Sequence, residues 1–362
     1  MKRTILATIA IAAAGALPAI AASSPRSDLP QISQFQAGNE VVLEIEGSRL
    51  DGVLTQTDVT AGQIPGVQTL QADLADGYMR VATDGEYLSG VVATDRGTWW
   101  ITDHEGELVV VDDADAAARI PASDRVIEPL DGGKAVDCSS LDWTPEIGEA
   151  DTLLGTGDEH DFEVGFAVDE LYVSTYGAAW PVRLAATINN IDAVLVRDTT
   201  INLVTEEVRV VPQTVVADTT SETLDRLQDH YVATAGGQVG ETVFLFSGTD
   251  FTNAGGQVNC VGSAGRTSVS YGVASVAGGD YEFFGTLVLL PDAATKIGAH
   301  ELAHTLSAHH HYANCVEAAT VYNPVHTTDA CTIMINDWGL IGLRFSSVSR
   351  LAMAGWADRY GI

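Results

Sequence analysis

The chain has 362 residues, 49 acidic against 18 basic, and a formal charge of −31. That length allows two domains with ample core. The acidic excess is spread along the whole chain, which describes a solvated surface and argues against nucleic acid or anionic membranes as partners.

The first 22 residues read as a secretory leader. Lys2 and Arg3 precede the apolar run ILATIAIAAAGALPAIA, and Ala19-Ile20-Ala21 fits a small-residue cleavage site. No later stretch reaches the roughly 18 apolar residues of a membrane span, so the mature form is expected to be soluble and secreted. Four cysteines, Cys138, Cys260, Cys315 and Cys331, are compatible with disulfides in an exported protein. They allow three pairings, and the short loop between Cys315 and Cys331 makes that pair the simplest bridge.

Residues 39–130 carry short β-branched and aromatic runs, EVVLEIEG, MRVATDG, YLSGVVAT, TWWITD and ELVVVDD, separated by Gly/Asp turns. They predict a β-rich N-terminal domain over 23–150. A glycine-rich acidic stretch places a boundary at about 140–162. From Phe162 the pattern alternates. FEVGFAV, TINLVTEEVRVV, ETVFLFSG and GTLVLLPD read as strands; VRLAATINNIDAVLVRD, SETLDRLQDHYVATAGG, DAATKIGAHELAHTLSA and FSSVSRLAMAGWADRYG read as helices. Ser221 and Asp292 are the expected caps of the second and third helices. The fold class is therefore α/β over 162–362, preceded by an all-β segment.

Five of the nine histidines lie within residues 296–311, KIGAHELAHTLSAHHH. HELAH is HExxH: on a helix His300 and His304 sit one turn apart and face the same way, and two imidazoles can then grip one Zn²⁺. Glu301 stands beside the first of them, placed to act as general base toward a water. Zinc requires a third protein ligand, and of His309–His311 only His310 completes HExxH-x5-H. That spacing requires the helix to stop soon after His304 and the chain to turn back, normally at glycine; here the residue is Ser307.

HELAHTLSAHH resembles the metzincin zinc-protease signature HExxHxxGxxH, with Ser307 in place of the glycine. ACTIMIND places Met334 24 residues after His310, similar to the Met-turn of that group. The cysteine before Ile-Met, FSSVSR after it, and INNIDAVLVRDTTINLV upstream are most similar to the reprolysin (adamalysin) branch. The resemblance spans 162–362. It implies a mixed twisted sheet with long helices, an active-site helix, a Met-turn and a C-terminal helix. It further implies one zinc held by His300, His304 and His310, with Glu301 as base and Met334 as a structural floor. An extended peptide would be held by β-augmentation along Tyr271-Gly272-Val273-Ala274-Ser275, with residues 335–340 walling the pocket.

The implied product is a secreted, monomeric zinc endopeptidase acting on proteins or peptides. The N-terminal domain is weakly similar to reprolysin pro-domains, so a zymogen is expected. Cys138 would then ligate and block the zinc; a Cys138–Cys260 disulfide is the competing assignment and excludes it. Two further readings stand beside the leading one. A non-catalytic zinc-binding adhesion module is favoured only by Ser307, and a gluzincin would take Glu317 as third ligand. The sequence assigns no calcium site.

Overall fold

The computed structural model describes residues 4–8, 31–45, 47–60, 62–104, 106–118, 127, 159–265, 270–276, 280–283, 286–310, 332–334, 342–360 and 362. Of residues 4–8, 280–283 and 286–289 only the backbone is described. Cys138, Cys315, Glu317, Cys331 and residues 335–340 lie outside these, as does most of the expected leader.

The N-terminal part is all-β, as its alternating runs predict. Strand β1 (Thr4–Thr8), inside the expected leader, runs parallel to β2 (Glu40–Ile45), which pairs with β3 (Ser48–Val53). A six-stranded antiparallel meander follows in chain order: β4 (Thr55–Gln56), β5 (Gln68–Leu74), β6 (Gly77–Thr83), β7 (Leu88–Thr94), β8 (Gly97–His104) and β9 (Glu107–Asp112). Short turns such as Asp84-Gly85 set its register, and a brief helix α1 (Asp113–Ala118) closes it.

The second part is built on a five-stranded sheet. Its members are β10 (His160–Asp169), β11 (Ile201–Val211), β12 (Thr242–Ser247), β13 (Gly256–Val258) and β14 (Tyr271–Ser275), in the order β11-β10-β12-β14-β13. All pairs are parallel except β13 with β14. Central β12, TVFLFS, is buried at every position, as a parallel strand covered on both faces must be. Helix α2 (Glu170–Tyr176) is capped by Asp169, whose carboxylate accepts from the Tyr172 amide. Helix α3 (Trp180–Thr199) joins β10 to β11, and α4 (Thr220–Ala235) follows β11. The cap of α4 is Thr219, two residues before the expected Ser221, and Gly236 ends it in the left-handed conformation. Pro291 occupies the cap of α5 (Asp292–Thr305), so Asp292 is its first residue. The C-terminal helix is α6 (Ser347–Tyr360).

Two expectations are corrected here. Tyr271–Ser275 is no edge: β14 is bonded to β12 on one side and β13 on the other, and the edge on that side of the sheet is Gly256–Val258. Three residues bounded by glycines and Asn259 are too short for a periodicity signal, whereas β14 is apolar enough to read as a strand. GTLVLLPD contributes β16 (Thr286–Leu289), which among the described residues pairs with β15 (Asp280–Phe283) in a separate hairpin and not with the five-stranded sheet.

The two parts share one core. Val91, Trp100, Val109 and Val111 of the meander belong to the same buried cluster as Phe166, Ile188, Ile191, Phe246, Ile297 and Met334. The reason is α3. Sixteen of its twenty residues are buried, so it is covered on both faces instead of along one stripe.

Candidate metal centre

Helix α5 carries His300, Glu301 and His304, all buried. It cannot continue past Leu306. The amide of Ala308 donates to the Ala303 carbonyl at 2.9 Å, and Ser307 takes φ +72°, the left-handed value that a glycine adopts at no steric cost. Ser307 is thus the helix stop that the spacing to His310 demands. Beyond it the chain reverses and returns His310 toward the helix.

The three imidazoles converge. Nε2 of His300 lies 3.1 Å from Nε2 of His304 and 2.9 Å from Nε2 of His310. The ring centroids are 4.7 to 5.0 Å apart. Zinc–nitrogen bonds of about 2.0–2.1 Å at tetrahedral angles would set such nitrogens roughly 3.3 Å apart. The other ring nitrogens fix the tautomers. His300 Nδ1 donates to the Ile333 carbonyl and His304 Nδ1 to the Ala308 carbonyl, both at 2.7 Å. With Nδ1 carrying the proton, each Nε2 offers a lone pair into the shared space. His310 is exposed where the other two are buried, so the group opens to solvent on its side. Among the described residues this is the one cluster of three or more such side chains able to hold a metal.

Met334 is fully buried in the turn directly after Ile333, the residue whose carbonyl accepts from His300 Nδ1. That turn is tied down in series. The Ile333 amide donates to the Arg344 carbonyl (2.9 Å), and the Phe345 amide to Asp198 Oδ2 (2.8 Å) at the end of α3. Arg197 reaches the Leu343 carbonyl at 2.7 Å.

Glu301 lies under the edge strand. A Cβ on Gly256 would fall 2.8 Å from both Cγ and Oε1 of Glu301 and 2.7 Å from Ile297. Only glycine permits that approach. Gly255 and Asn259 turn toward β14, through Ser275 N to Gly255 O (2.6 Å) and Asn259 N to Tyr271 O (2.9 Å). The Gly256 amide therefore faces away from the sheet, where it donates to the carbonyl of Ile127 at 2.7 Å. Ile127 comes from the N-terminal half and is fully buried. A glycine-rich loop before an unrecognised edge gave no cue to either residue.

Cys260, at the end of the edge-strand segment, is disulfide-bonded. Its partner is among Cys138, Cys315 and Cys331. A Cys315–Cys331 bridge consequently requires Cys138–Cys260, and a Cys138 thiol requires Cys260 to pair with Cys315 or Cys331. The two expectations for these cysteines exclude one another.

An HExxH helix, a reversal and a third imidazole beside a mixed sheet point to a metallopeptidase. The chain belongs to metallo-peptidase family M12: the Reprolysin_5 family model matches residues 159–339. Membership carries a zinc cofactor, peptide-bond hydrolysis and protein or peptide substrates. Among solved structures the chain is similar in fold to metalloproteinase-II from Bacteroides fragilis, at TM-score 0.52 and 10% identity, over 88% of this chain and 91% of that one. That share extends the likeness into the N-terminal half. A chaperone–substrate complex matches at TM-score 0.36 and 12% identity, over 55% and 36% of the two chains, too low to bear on the fold. No curated protein matches the sequence.

Proposed function

We propose that the protein is a secreted zinc endopeptidase made in a latent form, with one zinc held by His300, His304 and His310 and Glu301 as general base. The single observation that carries this is the convergence of three Nε2 atoms, two of them with their tautomer fixed from behind. Bound zinc would supply a Lewis acid for the scissile carbonyl and lower the pKa of water. Glu301, fully buried beside His300, would take a proton from the attacking water and return it to the leaving amine. An extended substrate would lie along β13 and use the outward amide of Gly256. Met334 closes the floor without contributing a donor.

Latency has a specific support. The Ile127 carbonyl already occupies the Gly256 amide beside Glu301, so the N-terminal half holds the position an extended substrate needs. A zinc-blocking Cys138 remains a second device, and alkylation of the denatured, unreduced protein with peptide mapping decides it: a labelled Cys138 keeps it, a disulfide-bonded Cys138 removes it. The non-catalytic alternative rested on Ser307, and that residue adopts the reversal geometry of an active site. Export and a monomeric mature form follow the leader and the acidic surface; among the described residues no helix is long and apolar enough to cross a membrane.

The test is zinc stoichiometry and casein cleavage by the purified mature protein beside Glu301→Ala, both activated by the same limited proteolysis. One zinc in both with cleavage lost in the variant is the expected result. Equal cleavage by the two would sink the assigned base, and no bound zinc would sink the ligand set.

A further inference from the structure

Beyond the peptidase reading, we propose that the N-terminal sheet is a lasting partner of the 159–362 domain, staying bound after the connecting chain is cut instead of being shed as a pro-segment. The inference starts from the two faces of α3. Ile191 points toward α5, its Cδ1 3.0 Å from where a Gly298 Cβ would stand. On the other side, at helical spacing, lie Val182, Ala185, Ala186, Asn189 and Ala193, all buried, and the helix packs there on β6 and β7. Four of the five are small and apolar, which lets the sheet approach closely. A helix meant to become solvent-exposed would carry charges on that face.

The polar groups on this side are matched to the sheet rather than to water. Asn189 donates to the carbonyls of Leu70 (3.1 Å) and Val81 (3.2 Å), which are register partners on β5 and β6. Its own oxygen accepts from Thr57 Oγ1 (3.0 Å) and Arg80 (3.2 Å). Arg80 also pairs with Asp192 at 3.1 Å, both about nine-tenths buried. Arg183, buried, donates to the Leu88 carbonyl (3.0 Å), the Asp103 carbonyl and carboxylate (3.2 Å each) and Thr102 Oγ1. The same holds on the active-site helix. Lys296, one of three lysines in the chain, is fully buried, and its ammonium meets Asp113 of α1 at 2.6 Å. Asp113 in turn accepts from Trp100 Nε1 at 2.7 Å.

Separation would strand these partners together: a carboxylate from Lys296, four carbonyls and a carboxylate from Arg183 and Asn189, a guanidinium from Asp192. Removing one member of a buried, hydrogen-bonded charge pair is strongly unfavourable. By contrast, among the described residues the edge strand meets the N-terminal half through one main-chain bond, Ile127 O to the Gly256 amide. The described residues of the N-terminal half thus hold on by two attachments of different strength. The weak one blocks the edge strand and can lift while the strong one persists.

The test uses the full chain carrying Glu301→Ala, which prevents self-digestion, with a site-specific protease sequence inserted between residues 119 and 126. All four cysteines then stay on the C-terminal fragment, so no disulfide can join the two pieces. After complete cutting, gel filtration at nanomolar loading should give one peak holding both fragments in equal amounts at the mass of the uncut chain. Elution of the N-terminal fragment apart from the rest, whether the remainder stays folded or aggregates, overturns the proposal. Neither outcome bears on zinc or Glu301, which stand or fall on the casein assay.

Discussion

His304 Nδ1 donates to the carbonyl of Ala308 across a single left-handed residue, Ser307. The helix stop and the orientation of a ligand imidazole are therefore one device. A side chain at φ +72° costs on the order of 1 kcal/mol relative to glycine. Ser307→Gly should keep full zinc content and activity and raise stability by up to about 1 kcal/mol. Ser307→Val, β-branched at the same φ, should lower the thermal midpoint and loosen zinc. Zinc content and the melting temperature of both variants check this; loss of zinc in the glycine variant would contradict it.

Gly256 presents the opposite demand, for space. Alanine there places a carbon 2.8 Å from Glu301 Oε1, and either the edge strand or the carboxylate must shift. Gly256→Ala should cost about 1–3 kcal/mol in stability and lower kcat/KM at least tenfold, with zinc still bound. Metal analysis and steady-state kinetics on a peptide substrate separate the two effects. Unchanged kcat/KM would show that Glu301 does not depend on the edge strand.

The residues of the candidate metal centre were legible because their chemistry is local. HExxH sets two candidate ligands and a candidate base within one turn, and the reversal at Ser307 was expected from the spacing to His310. Strand and helix identities over β10–β12 and α3–α6 followed from periodicity. What escaped was set by non-local pairing. Nothing in GQV distinguishes an edge strand from a loop, and β14 looks like an edge only until β13 is placed beside it. Nothing local to Lys296 points to a buried charge pair, because its partner, Asp113, lies 183 positions away in sequence. For the same reason the N-terminal half read as a separable unit, although its core runs into that of the catalytic part.

Burial raises the Glu241 carboxyl to about 7; the Glu163 amide, donating to Oε2 at 3.1 Å, opposes this, and the Glu163 charge adds to it. The folded form therefore keeps a proton that the unfolded chain releases near pH 4.5. Below about 4.5 the group contributes nothing. As pH rises from there through 7 it progressively destabilises the fold, and above 7 the cost is constant. Glu241→Gln keeps an acceptor for the Glu163 amide and removes the ionisation. Its melting temperature should match the parent at pH 4 and exceed it at pH 8. A variant less stable than the parent at pH 8 would show that the carboxylate is favoured in place.

Asn189 is the most fully used polar side chain on α3, with two donated and two accepted hydrogen bonds to the N-terminal half. It has no role in the metal centre, so its loss isolates the contact between the parts. Asn189→Ala leaves the Leu70 and Val81 carbonyls buried without their donor, at a cost of roughly 1–3 kcal/mol. Because α3 belongs to both cores, that loss should lower the stability of the whole molecule. Denaturant unfolding followed by hydrogen exchange of meander peptides (residues 68–112), read by mass spectrometry, and by release of zinc from the second part should show coincident transitions, both moved to lower denaturant in the variant. A variant in which only the meander signal moves would mean that the N-terminal sheet unfolds by itself and that the shared core does not couple the two parts.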